Sequence, residues 1–200
     1  MTMLSIPIVE NISSILQSIP IDGEIIRSDP SDHCTCFYFE DDMNIEEAVK
    51  IIPVIFSATQ KTKPFIINLK SYTSFPEGKY GFPVICQLKS SELIKLREDI
   101  KKSFDKNDIK YSNKFPKFIP HITLGYFKNK IKDRKFDEVA FPVNKISLYV
   151  NSNNKEKETL YVEFPFGKLV KYSSDCLEDF SGQFQKLANG SIYSKNQNKI

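Results

Sequence analysis

The chain's only two histidines each stand two positions before a threonine, in His33-Cys34-Thr35 and His121-Ile122-Thr123. Their flanks are alike. The first copy runs on through Cys36-Phe37-Tyr38-Phe39 and the second through Leu124-Gly125-Tyr126-Phe127, and aromatic-rich runs of this length favour strands. Side chains at i and i+2 of a strand project from one face. Each His therefore points the same way as its Thr, while Cys34 and Ile122 turn to the buried side. Two such strands side by side present two imidazoles and two hydroxyls to one cleft. One His-x-Thr says little; two copies with matching flanks are the strongest functional signal in the sequence.

That set suits phosphoester chemistry without a metal. One neutral imidazole acts as general base on a water or a ribose hydroxyl, and a protonated one donates to the leaving oxygen. Imidazole serves both roles because its ordinary pKa is about 6.5. The threonine hydroxyls donate to the non-bridging phosphate oxygens, where negative charge grows in the transition state. Which His is base and which is acid stays open at this level.

The paired motifs, their strand context and their separation resemble the 2H phosphoesterase superfamily. That group includes RNA-ligase-like 2′,3′-cyclic phosphodiesterases, eukaryotic cyclic nucleotide phosphodiesterases and phage enzymes that destroy cyclic oligonucleotide signals, the anti-CBASS nucleases. The first motif, with Cys34 after the His, is similar to the phage branch. The resemblance runs from Asp29 to about Phe166, and only the two tripeptides are specific. It implies that His33 and His121 are the acid/base pair and that Thr35 and Thr123 clamp the phosphate. It implies an enzyme, a phosphodiesterase acting on a 3′–5′ or 2′,3′-cyclic phosphodiester in a small RNA-like or cyclic oligonucleotide, with no metal and no cofactor. The alternatives are processing of RNA ends bearing a 2′,3′-cyclic phosphate, or a protein that sequesters a cyclic nucleotide without cutting it.

Composition sets the frame. At 200 residues with 40% hydrophobic content, the chain can build one domain with a sizeable core. Sixteen Phe, nine Tyr and no Trp favour a protein with sheets. The net charge of +3 is mild, and only Arg27, Arg97 and Arg134 offer bidentate forks for phosphate. That scarcity argues against a duplex-DNA groove and leaves room for a small anionic substrate. Cys34, Cys36, Cys86 and Cys176 lack zinc spacing, and aliphatic neighbours suggest buried, reduced thiols. No apolar run approaches the roughly 20 residues that cross a membrane, and no signal-peptide pattern opens the chain. A cytoplasmic protein is expected, in the host's cytoplasm if the source is viral.

The elements that must position the motifs follow from periodicity and caps. A helix is expected over Glu10 to Ser18 with Ile12, Ile15 and Leu16 on one face, then a strand Glu24 to Arg27. The first motif strand runs from Cys34 to Phe39. Asn44 or Asp42 caps a helix from Ile45 to Thr59 with Ala48, Val49, Ile52 and Ile55 inward, and Pro53 interrupts it. Strands are expected over Phe65 to Leu69 and Val84 to Leu88, with a loop from Ser71 to Tyr80 between. Ser90 or Ser91 caps a helix Glu92 to Phe104 bearing Leu93, Leu96, Ile100 and Phe104 at helical spacing. A loop from Lys110 to Pro120 leads to the second motif strand. Ile146 to Asn151 and Thr159 to Phe164 form a hairpin about the turn Ser152 to Glu158.

Each half of this order centres on a His-x-Thr strand. That predicts an α+β fold, bilobal and pseudo-twofold, with two mainly antiparallel sheets flanking a central cleft and helices outside. Residues 1–180 make the domain and 181–200 a polar tail expected to fray.

Tyr38 and Tyr126 end the motif strands and Phe75 lies in the loop facing the cleft, so all three are candidates to stack on a base; packing is the blander reading for any one of them. Lys114 and Lys117 are candidates to draw in an anion, or are solvated loop lysines. Glu163, on a late strand, is a candidate to contact a base or orient a His, with a plain surface carboxylate the blander reading. Asp32 is expected to point away from His33, since neighbours on a strand face opposite ways. Asp41-Asp42 and Glu46-Glu47 are read as partners of a helix dipole rather than a metal site.

Overall fold

The computed structural model describes residues 2–8, 10–28, 32–39, 43–114, 117–151, 159–167 and 192–194. In chain order the elements are β1 (Thr2–Pro7), α1 (Glu10–Ser18), β2 (Ile25–Arg27), β3 (His33–Tyr38), α2 (Ile45–Thr59), β4 (Phe65–Ser74), β5 (Phe82–Gln87), α3 (Ser91–Lys106), β6 (His121–Phe127), β7 (Arg134–Val143), β8 (Lys145–Asn151), β9 (Thr159–Pro165) and β10 (Ile192–Ser194). They form two five-stranded sheets with strand orders β10-β9-β8-β1-β3 and β2-β6-β5-β4-β7. Neighbouring strands in both are antiparallel. Each sheet carries one motif strand, and β3 meets β6 where the sheets adjoin. The architecture is the α+β, two-sheet one that the sequence predicts.

Caps and stripes place the helices. Ser90 accepts the Leu93 amide at 3.1 Å and starts α3, a bond whose loss typically costs about 1 kcal/mol. Leu93, Leu96, Ile100 and Phe104 are buried along one side. In α2, Asn44 and Glu47 form a reciprocal capping box. Its buried stripe is Ala48, Ile51, Ile55 and Thr59, so Val49 and Ile52 lie at the flank of the face rather than its centre. Pro53 sits on the exposed side, and the helix runs through it, held by buried residues before and after. In α1, Ile12 and Leu16 are buried while Ile15 is exposed.

Four elements differ from the predicted order. β1 is an inner strand of the first sheet, between β8 and β3, yet its sequence neither alternates nor forms an apolar run. Thr2 and Ser5 are buried beside Leu4 and Ile6, because an inner strand is covered on both faces. β7 is an edge strand whose Arg134, Lys135, Asp137 and Glu138 are exposed; charge hides the strand in the sequence and guards the edge in the fold. β4 extends to Ser74, five residues beyond Leu69, because β7 and then β5 pair with its second half. Within the tail expected to fray, residues 192–194 pair with β9 and give that strand a second neighbour. The turn Ser152 to Glu158 lies outside the described residues, as do Asp41, Asp42 and Cys176.

One irregularity recurs in both motif strands. Along β1 and β3, Leu4 pairs with Phe37 and Ser5 with Thr35, so Cys36 is an extra residue. Along β5 and β6, Val84 pairs with Gly125 and Ile85 with Thr123, so Leu124 is an extra residue. Each bulge immediately follows the motif threonine and shifts the alternation by one. Phe37 and Phe127 therefore go to the core, and Tyr38 and Tyr126 join the face that holds the His and Thr. The spacing His, Thr at +2 and Tyr at +5 is the same in both lobes.

A bulge leaves a carbonyl outside the ladder. The Cys36 carbonyl accepts from Nε of Arg97 at 3.2 Å, and the guanidinium lies 4.8 Å from the centre of the Phe37 ring and 4.5 Å from that of Phe118. Arg97 thus reaches from α3, locks the first bulge and ties the loop before β6 to it. Replacing Arg97 with Met keeps the stem and removes the donor, leaving a buried carbonyl unpaired. The expected loss is about 2 kcal/mol, read as a lower urea midpoint at unchanged slope. An unshifted midpoint would mean the bulge holds itself.

Candidate active site

His33 opens β3, and its Nδ1 lies 3.0 Å from Oδ1 of Asp32. The expectation that these two side chains diverge is wrong. Alternation begins only with the strand, and Asp32 lies in the bend before it, so its carboxylate curls back to the ring. The carboxylate accepts the Nδ1 proton and fixes the tautomer, which leaves Nε2 for proton transfer. His33 keeps 24% of its side-chain surface and Asp32 83%, so the ring is partly covered while its carboxylate partner faces solvent. Two residues on, the Thr35 hydroxyl lies 3.4 Å from the Tyr38 hydroxyl and 3.9 Å from the Met3 sulfur. Both contacts are long and readily exchanged for an anionic oxygen.

His121 opens β6, and its Nδ1 lies 2.7 Å from the Ile119 carbonyl. A carbonyl can only accept, so Nδ1 carries hydrogen, and in the neutral ring Nε2 is the basic nitrogen. Phe75 packs against this ring with centroids 4.8 Å apart and planes at 73°. Burial lowers the His121 pKa below 6.5, and the Ile119 bond only partly opposes it; the charge of His33 lowers it further. His33 is therefore near enough to be felt electrostatically. Burial thus favours the neutral form of the His121 imidazole.

The remaining candidates fall into three groups. Phe75, Tyr38 and Tyr126 all reach the motif face. Lys114 and Lys117 are exposed in the loop before β6, and no contact draws either to the histidines. Glu163 is not a plain surface carboxylate. It pairs with Lys145 and accepts from the Tyr161 hydroxyl at 3.1 Å, which also lies 3.0 Å from the Ser147 hydroxyl. Pairing across the sheet aligns Thr35, Ser5, Ser147 and Glu163 in one row, so this network continues the Thr35 face outward. Burial raises the Tyr161 pKa and keeps its hydroxyl a donor. Lys145, Ser147, Tyr161 and Glu163 were legible as the polar positions of two alternating strands. Arg27 and Tyr80, which gather near Tyr126, had no comparable signal.

Burial holds the thiols of Cys34 and Cys86 up at about 12 and raises that of Cys36 as well. They pack on the core side as protonated thiols. Glu47 is engaged in the α2 cap, and among the described residues no three His, Cys, Asp or Glu side chains converge. Among the same residues no helix is long and apolar enough to cross a membrane.

Comparison with known proteins follows the same geometry. The chain's fold is similar to protein TT0787 of Thermus thermophilus, with a TM-score of 0.63 at 17% identity over 83% of this chain and 97% of that one. It is also similar to a structure described as a phosphoesterase, with a TM-score of 0.60 at 15% identity over 84% and 98% of the two chains. E. coli LigT complexed with 3′-AMP gives a TM-score of 0.60 at 14% identity over 84% and 98%. No curated protein matches in sequence. At these identities the likeness is one of fold. The profile of the 2′-5′ RNA ligase superfamily matches residues 33–155, more than half of the chain and a span that opens on His33 and includes His121, and on that match the chain belongs to the 2′-5′ RNA ligase (2H phosphoesterase) superfamily.

Proposed function

We propose that the protein is a metal-independent phosphodiesterase that opens a 2′,3′-cyclic or 3′–5′ phosphodiester in a small RNA-like or cyclic oligonucleotide substrate. The observation that carries this reading is the unequal pair of imidazoles. His121, desolvated beside Phe75 with Nδ1–H on a carbonyl, is suited to take a proton from water through Nε2. His33, with a carboxylate on Nδ1, is suited to carry a proton on Nε2 and deliver it to the leaving ribose oxygen. As the water oxygen bonds to phosphorus and the ribose oxygen departs, Thr35 and Thr123 hold the non-bridging oxygens. Tyr38 and Phe75 offer apolar surface for the base beside the scissile phosphate, and Lys117 draws anions toward the cleft.

LigT, which shares the fold, was crystallised with 3′-AMP, a ribonucleotide bearing the kind of phosphate that opening a 2′,3′-cycle leaves. That supports a ribonucleotide substrate here. Destruction of cyclic oligonucleotide signals is the form of this activity that fits Cys34 after the first His, and it would act in the cytoplasm, the host's if the source is viral.

The division of labour between the histidines can be tested by removing each. His33→Ala and His121→Ala should each cost at least about 100-fold in kcat on 2′,3′-cyclic nucleotides or cyclic dinucleotides, measured with chelator present and with the far-UV spectrum unchanged. Turnover that needs an added divalent ion would overturn the mechanism.

A second prediction concerns pH. Because burial lowers the His121 pKa, the base is competent below pH 6.5, and the acid limb of kcat/KM should fall below that value. Phe75→Ala admits water to the ring, so the His121 pKa should rise toward 6.5 and the acid limb should move up with it. With only two histidines, imidazole NMR reads the shift directly. A His121 resonance that titrates identically in both proteins would remove Phe75 from the account.

A further inference from the structure

The three arginines have separate fates. Arg97 is committed to the bulge carbonyl, and Arg134 pairs with Asp22 at 3.4 Å. Arg27 lies directly across from Tyr126 in the pairing of β2 with β6, and residues opposite one another share a face. The bulge at Leu124 has put Tyr126 on the face of His121 and Thr123, so Arg27 stands on that face too.

A third residue completes the cluster. Gly78 and Gly81 exchange two backbone hydrogen bonds, at 2.9 and 3.2 Å, and close a tight turn with Lys79 and Tyr80 at its tip. Gly81 has φ of +93°, and a Cβ there would lie 2.5 Å from the Phe127 carbonyl, so the turn is seated hard against β6 and needs glycine. The turn holds Tyr80 edge-on to Tyr126 with centroids 5.8 Å apart. Arg27 lies 5.2 Å and Lys79 5.3 Å from the Tyr80 ring centre. Tyr80 nonetheless keeps 43% of its surface exposed. An exposed ring flanked by cations is what a nucleotide recognises, base on ring and phosphate on guanidinium.

We propose that Arg27, Tyr80 and Tyr126 form a second nucleotide subsite beyond the reacting one. This rests on the phosphodiesterase reading and narrows it. Tyr126 is three residues past Thr123, about 10 Å along the strand, within one nucleotide's reach of the phosphate held there. The substrate class it selects is an oligonucleotide, linear or cyclic, of two or more residues rather than a lone nucleotide.

The test separates this subsite from the reaction. Calorimetry in a His121→Ala background, where nothing is cleaved, compares 3′-AMP with the dinucleotide ApAp. The dinucleotide should bind about tenfold more tightly, in line with one added stacked base. Tyr80→Ala and Arg27→Gln, both at exposed positions, should each erase most of that advantage and leave 3′-AMP affinity unchanged. Equal affinities, an advantage that survives both substitutions, or a parallel loss for both ligands would overturn the subsite. Failure of either ligand to bind would overturn the subsite and the ribonucleotide reading together. A wild-type protein that binds ApAp with the expected preference and yet turns over no phosphodiester would overturn the proposed activity alone.

Discussion

A strand turns successive side chains to opposite faces, and the candidate site is an exception to that rule made twice. If β3 and β6 kept perfect alternation, Phe37 and Phe127 would follow His and Thr into the cleft, and Tyr38 and Tyr126 would be driven into the core. A one-residue slip exchanges every side chain beyond it between faces. The extra residues Cys36 and Leu124 make that slip just past each threonine. The His-Thr half of each strand and its aromatic half thus each show the correct side to the cleft and to the core.

The bulge needs support, since each carbonyl it frees must find a donor or remain a buried cost. In the first lobe the support is Arg97, and its placement explains why α3 follows β5. The helix begins at the Ser90 cap and buries Leu93 and Leu96, which carries Arg97 over the neighbouring sheet's bulge. There its planar cation fills the gap between Phe37 and Phe118. Lysine could supply charge at that position but not the flat stacking surface. The same helix buries Phe104 against Phe37 and Phe39, so the fold of one lobe and the site's geometry are held by one element.

Local signals made much of this legible. The caps at Asn44 and Ser90, the stripe of α3 and the two motif strands are written in short-range patterns. β1 and β7 are not. β1 is set by burial on both faces, which a sequence with Thr2 and Ser5 in it does not advertise, and β7 by its edge position, where charge is favoured. The site divides in the same way. The two tripeptides name His33, Thr35, His121 and Thr123. The Asp32 contact depends on where the strand begins, and the gathering of Arg27 and Tyr80 near Tyr126 depends on a three-residue strand and a turn from distant parts of the chain. Glu163 read as surface because its partner, Lys145, comes from the adjoining strand.

Two nearly identical tripeptides end up chemically unequal, and the cause is topological. β3 is the outermost strand of its sheet, and its first residue follows a bend open to solvent, so His33 gains an exposed carboxylate as its partner. β6 is an inner strand, the loop before it turns the Ile119 carbonyl to the ring, and Phe75, just past the end of β4, packs on that ring. Burial then disfavours the charged form of His121, with the charge on His33 acting in the same direction. The pseudo-twofold arrangement brings the histidines together, and the difference between an edge and an inner strand sets them apart. An acid and a base can arise from one repeated motif because repetition fixes where the imidazoles point, while position in the sheet fixes what each Nδ1 bonds to and how far each ring is covered.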